Sequence, residues 1–106
     1  MPEEFNQRGG ARIGRSYWIS SNATWPFASL IATSQVITLK VLIKQYVFKN
    51  ENIQQLKRCQ GILFAGLQIV HTRKDYPPFI VFWTSNFELL KSEFQKLGFS
   101  VEDNSS

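Results

Sequence analysis

The clearest pattern in the sequence is an apolar run that leads directly into an amphipathic helix. Residues 79–84 are apolar at nearly every position, which predicts a strand covered on both faces. Apolar side chains then recur at steps of three and four residues, at Phe87, Leu90, Phe94 and Leu97. Ser85 and Glu88 fit a capping box at the start of this helix, and Gly98 stands where a left-handed residue ends one. A helix of about eleven residues is unstable alone, so we predict that it packs on the sheet.

Upstream of this segment, the pattern predicts a series of short strands. Runs of β-forming residues occupy positions 12–20, 27–33, 36–43, 46–48, 53–59 and 66–72. Ser34 and Gln35 separate the second and third runs by a spacing that favours a hairpin. Residues 53–59 also fit a helical period, and a strand is preferred because the neighbouring runs are strands. Trp25, before a proline in a turn-rich stretch, is expected to fold back into the body of the protein.

The size and composition of the chain predict one compact domain. The chain has 106 residues, 43% of them hydrophobic and 14% aromatic, which suffices for a single core. Residues 1–11 contain few apolar side chains and a pair of glycines, and we interpret them as a flexible lead-in. Residues 12–99 then form the domain, and residues 100–106 are a polar C-terminal tail.

Several short strands followed by one helix describe an antiparallel sheet whose open end is closed by that helix. The order of elements resembles the pleckstrin-homology-like (PH-like) superfold. Residues 22–30, 66–77 and 79–84 look like segments of small uncharacterised bacterial proteins of that superfold. The likeness runs from about Arg12 to Phe99. It implies a mainly β fold, a bent antiparallel sheet or partly open barrel of six to seven strands capped by one C-terminal helix, and it implies no activity.

The sequence offers little for catalysis. It has one histidine, His71, and one cysteine, Cys59, and the spacing brings neither a nucleophile nor an orienting carboxylate to the histidine. Zinc requires three or four ligands of these types, and no phosphate-binding glycine motif is present. We therefore expect no enzymatic activity, no catalytic residues, no metal and no cofactor, and we interpret His71 as structural or as part of an interface.

Binding is the remaining class of function, and the positive charge of the chain suggests binding to an anionic partner. The formal charge is +4, which favours anionic partners. Lys40 and Lys44 have the same parity and are expected to share a face if no bulge intervenes. The candidate binding residues are Arg12, Arg15, Lys40, Lys44, His71, Arg73, Lys74 and Tyr76. An adaptor for an anionic membrane surface or a nucleic acid would use such a basic patch.

The preferred interpretation is a non-catalytic module that binds a protein partner or itself. Sheet edges can add a peptide strand, and the apolar residues 62–64 and the aromatic loop at residues 76–78 are further contact points. We expect the tip at residues 62–64 to be exposed.

The sequence also predicts where such a module resides. No stretch approaches the roughly 20 apolar residues of a membrane span, and Glu3 and Glu4 stand where a signal peptide would be basic. We expect a soluble, cytoplasmic protein without an integral membrane segment.

Overall fold

The fold is seen in a computed structural model that describes residues 3–103. Seven antiparallel strands form one sheet: β1 (Phe5–Gly14), β2 (Ser20–Ala32), β3 (Val36–Val41), β4 (Lys44–Lys49), β5 (Ile53–Gln60), β6 (Ala65–His71) and β7 (Phe79–Thr84). Their order across the sheet is β4-β3-β2-β1-β7-β6-β5, so β4 and β5 are its edges. The sheet curls into a half-barrel that is PH-like in shape, with one C-terminal helix, α1 (Phe87–Lys96). The predicted fold class is confirmed.

The core lies between the inner face of the curled sheet and the helix. Leu90 and Phe94 of α1 are fully buried against side chains such as Ile80 and Phe82 of β7, as the amphipathic pattern predicts. Val81, which points to the opposite face of β7, is also fully buried, so this strand is covered on both faces. Burying each such side chain stabilises the fold by about 1.5–3 kcal/mol, which explains why the short helix persists.

The helix begins with a different cap from the one predicted. Asn86, and not Ser85, is the N-cap residue, and its Oδ1 accepts the N–H of Leu89 at 3.1 Å. Ser85 cannot act as the N-cap because it lies one residue further from the first turn. Gly98 ends the helix as predicted, with a φ of 101° that side chains other than glycine rarely adopt.

The N-terminal stretch predicted as a flexible lead-in is part of the sheet from Phe5 onwards. The Phe5 ring packs edge-on against Phe94, with 6.0 Å between centroids. A Cβ atom at Gly9 would come within 2.7 Å of the Phe82 ring, so this glycine permits a close approach of β1 to β7. The glycine therefore indicates tight packing between strands here, whereas we predicted a flexible segment from the pair of glycines. The first two residues of the predicted lead-in lie outside the described residues.

The segment predicted as a polar tail is docked along the edge strand β5. The N–H of Arg58 donates to the Glu102 carbonyl and the N–H of Glu102 to the Leu56 carbonyl, each at 2.8 Å. Val101 is buried, and Asp103 forms ion pairs with Arg58 and with Lys91 of α1. The domain thus extends at least from residue 5 to residue 103. Residues 104–106 of the predicted tail lie outside the described part of the chain.

Strand β2 begins earlier than predicted and contains a bulge. Gly9 pairs with Ala28 but Ala11 pairs with Ala23, so residues 24–27 of β2 bulge out opposite a single residue of β1. Trp25 lies on this bulge and is 65% exposed, so the expectation that it folds back into the body of the protein is wrong. The hairpin with its turn at Ser34 and Gln35 and the strand at residues 53–59 are confirmed.

Candidate functional site

A cleft of about 560 Å³ opens on the outer face of the sheet, the face opposite the core. Gly10 of β1 and Trp83 of β7 form its floor. The β2 bulge with Trp25 forms one wall, and the tip of the β5–β6 hairpin at residues 61–64 forms the other. We call it the Trp83 cleft. Its volume falls in the range of about 300–1,000 Å³ that is typical of ligand sites.

Glycines on the neighbouring strands create the floor of the Trp83 cleft. Trp83 pairs with Gly10 on one side and with Gly66 on the other. A Cβ atom at Gly66 would lie 2.7 Å from the indole, and one at Gly61 would lie 3.0 Å from it. The indole can therefore lie close against the backbone, where its N–H donates to Oδ1 of Asn22 at 3.1 Å. This packing fixes the orientation of the ring.

The hairpin tip presents large apolar side chains to solvent, as the sequence predicts. Ile62 is 95% exposed and Leu63 is 82% exposed. The tip turn is closed by a hydrogen bond from the N–H of Gly61 to the Phe64 carbonyl, 2.9 Å long. Exposed apolar side chains that are grouped beside a cleft are typical of interaction sites, whereas single ones are common on any surface.

Arg12 contributes the one charged side chain among the described residues that line the Trp83 cleft. Its Nε and Nη2 donate to the Tyr17 carbonyl at 2.9 and 2.6 Å, and its Nε also donates to the Ser20 hydroxyl. The guanidinium carbon lies 4.3 Å from the centroid of the Tyr17 ring. Arg12 thus holds the β1–β2 loop in place and keeps a positive charge at the cleft.

Arg73 and Tyr76 are engaged in closing the exposed edge of β4. The Val47 N–H donates to the Tyr76 hydroxyl at 3.1 Å, and Nη1 of Arg73 donates to the Val47 carbonyl at 3.0 Å. Arg73 also stacks on the Tyr76 ring and pairs with Asp75. This pairing raises the pKa of Arg73 and lowers that of Asp75. The half-barrel is open between its edge strands β4 and β5, and we call this opening the open seam. Along it, the side chains of Arg73 and Tyr76 make hydrogen bonds to β4 that a further strand would otherwise make.

His71, the last residue of β6, binds the β6–β7 loop through both ring nitrogens. Its Nδ1 accepts the N–H of Arg73 at 3.0 Å, which leaves Nε2 to donate to the Pro77 carbonyl at 2.9 Å. The ring also lies 4.9 Å from that of Phe48, centroid to centroid. The geometry assigns His71 a structural role in the β6–β7 loop.

Lys40 and Lys44 do not share a face, contrary to the prediction. A turn at Leu42 and Ile43 reverses the chain between them, so Lys40 pairs with Gln45 whereas Lys44 pairs with Val41. Because adjacent pairs alternate between faces, the two lysines point to opposite sides of the sheet.

The candidate binding residues therefore form no single patch. Arg15 is exposed in the β1–β2 loop and Lys74 in the β6–β7 loop, while Arg12, His71, Arg73 and Tyr76 make hydrogen bonds within the fold. Trp83, Trp25 and Gly10 were not predicted as site residues. The available signal was the pair Gly61 and Gly66, which bracket an apolar run.

Cys59 pairs with Gly66 next to the Trp83 cleft. Burial raises the pKa of its thiol, and the positive charges of Lys57 and Arg12 only partly offset this effect. A raised pKa leaves little thiolate at neutral pH, so the thiol is not activated.

Residues 3–103 contain no group of three or more side chains placed to hold a metal ion. Over the same residues, no helix has the length and apolar character needed to span a membrane.

Comparison with models of known protein families gave no match, and comparison with curated protein sequences gave none either.

Proposed function

We propose that this protein is a non-catalytic binding or assembly module that recognises a protein partner, or itself, through the Trp83 cleft and its apolar walls. The observation that carries this proposal is the grouping of exposed apolar side chains around a preformed concave floor. Ile62, Leu63 and Trp25 border a cleft whose floor is an indole held in one orientation. Preformed apolar concavities with few polar groups are typical of binding sites.

The sheet edges are less suited to binding a partner by strand addition than these loops are to binding it through their side chains. Val101, Glu102 and Asp103 lie along β5, and Tyr76 and Arg73 bind the backbone of β4 at Val47. A partner strand would have to displace these contacts first. We therefore place the proposed recognition on the loops.

The alternative, an adaptor for an anionic membrane surface or a nucleic acid, has less support. Such binding depends on several cations that face one surface. Here Arg73 is paired with Asp75, and Lys40 and Lys44 face opposite ways. Among the other exposed cations, Arg15 and Lys74 lie in different loops, and Arg8, Lys49 and Lys96 lie on β1, β4 and α1.

We further propose that the chain is a bacterial member of the PH-like superfold and that it acts in the cytoplasm. The continuous order of antiparallel strands and the single helix after the last strand support the first part. The engaged ring of His71 and the unactivated thiol of Cys59 support a role without catalysis.

A peptide-display selection against the purified protein tests this function. We expect enrichment of sequences with large apolar side chains, and loss of their binding in the double variant Ile62→Ser, Leu63→Ser. The variant Ile43→Ser is the matched control, because Ile43 is 99% exposed on the β3–β4 turn and does not line the cleft. Its binding should equal that of the parent protein.

Light scattering over a concentration series tests self-recognition with the same variants. A dimer that the double variant abolishes and the control retains would support assembly through the cleft. A strictly monomeric protein from which the selection recovers no cleft-dependent peptide would contradict the proposal.

A further inference from the structure

The position of Arg12 distinguishes the Trp83 cleft from a purely apolar groove. The other described lining residues are uncharged, and most of the lining is apolar. The hydrogen bonds of Arg12 to Tyr17 and Ser20 use Nε and Nη2, and Nη1 has no acceptor among residues 3–103. No carboxylate among residues 3–103 forms an ion pair with this guanidinium.

A partly buried cation without a counterion is electrostatically unfavourable, and an anion placed beside it would relieve that cost. Arginine is suited to such a role because its planar donors match a carboxylate. Stacking on Tyr17 and the bonds to the loop fix the guanidinium before any ligand arrives, so binding would not have to order it. The apolar floor and the cation are thus both in position within one cleft before a ligand binds.

We infer that the Trp83 cleft takes an acidic peptide segment, in which a large apolar side chain covers the indole of Trp83 and a neighbouring carboxylate pairs with Arg12. This inference rests on the proposed function and names the chemistry of its partner. The overall charge favours such a partner over a second copy of this chain. The protein carries a formal +4, so two copies repel each other whereas an acidic segment is attracted.

A matched pair of peptides tests the inference without altering the protein. Acetyl-Leu-Phe-Glu-amide and acetyl-Leu-Phe-Gln-amide have the same shape and differ in the carboxylate. In an NMR titration, both should shift the indole N–H of Trp83 and the amides of Gly10 and Gly61. The Glu peptide should bind about fivefold more tightly at low salt. Raising the salt from about 50 to 500 mM should bring the two affinities together.

Substitutions in the protein then test whether Arg12 is the residue that pairs with the carboxylate of the peptide. Arg12→Gln should abolish the preference for the Glu peptide, and Arg12→Lys should retain part of it because the charge remains without the planar fork. Arg15→Gln is the control, since Arg15 is an exposed arginine of the adjoining β1–β2 loop that does not line the cleft. It should keep the full preference. The indole and glycine signals report whether each variant retains the cleft.

The outcomes separate this inference from the proposed function. Equal binding of the two peptides, lost in the double variant Ile62→Ser, Leu63→Ser, would overturn the carboxylate inference and leave the binding function standing. A cleft occupied by a second copy in solution would also overturn it. If neither peptide shifts the signals of the Trp83 cleft and the display selection is also empty, both the inference and the function fail.

Discussion

Tyr76 allows a direct test of how the open seam of the half-barrel is closed. Its hydroxyl accepts the N–H of Val47 at 3.1 Å, on the side of β4 that faces away from β3. Tyr76→Phe removes this acceptor and preserves the ring that packs on Tyr46 and Phe48. The substitution therefore isolates one hydrogen bond between a loop and the sheet edge.

The expected loss in the free energy of unfolding is about 1 kcal/mol, because the bond is partly buried and the freed N–H gains some access to water. For a domain of this size, that loss lowers the melting temperature by roughly 4–8 °C. Hydrogen exchange gives the local measurement. If Val47 exchanges by opening of the seam, its protection should fall about fivefold, while amides of β1 and β7 in the centre of the sheet change less.

Tyr46→Phe is the matched control. Tyr46 lies in β4, its ring is 5.2 Å from that of Tyr76, and its hydroxyl makes no hydrogen bond within residues 3–103. Its removal should leave the protection of Val47 unchanged. Equal protection of Val47 in the parent protein and in Tyr76→Phe would refute the seam mechanism.

Three further substitutions test other parts of the fold. Phe94→Ala should cost about 3–5 kcal/mol in urea unfolding because the ring is fully buried under the helix, and an unchanged midpoint would exclude helix docking. Gly66→Ala should cost about 1–3 kcal/mol and shift the indole N–H signal of Trp83, since the new Cβ would lie 2.7 Å from that ring. Asp75→Asn should lower the melting temperature at about pH 7 but not at about pH 2. Arg73 lowers the pKa of Asp75, so the carboxylate stabilises the folded state above its ordinary pKa and loses this effect as the pH falls through its folded pKa. Equal losses at both pH values would contradict this pairing.

The helix and the central strands were predictable because each depends on local periodicity. Phe87, Leu90 and Phe94 share a face whatever they pack against, and the apolar run at residues 79–84 must be covered wherever it lies. The ends of the chain were not predictable in this way. Phe5 is ordered by its contact with Phe94, and Val101 by the edge of β5, and neither contact has a signature within a few residues of sequence.

The candidate site shows the same division between local and distant information. Exposure of Ile62 and Leu63 follows from the glycines that flank the hairpin tip, and it was predicted correctly. The cleft itself requires Gly10, Trp83 and Gly66 to be cross-strand neighbours, although Gly10 lies far from the other two in the chain. Likewise, Lys40 and Lys44 have equal parity, and only the turn between them places them on opposite faces.

Protection of the sheet edges connects the fold with the proposed function. A half-barrel has two edge strands that can pair with other chains, and such edges promote aggregation unless they are covered. In this protein, side chains of the β6–β7 loop cover β4, and the segment after the helix covers part of β5. Backbone pairing with a partner is thereby disfavoured at both covered stretches. Under the proposed function, recognition then depends on side chains, and the indole of Trp83, the apolar hairpin tip and the guanidinium of Arg12 lie together within one cleft.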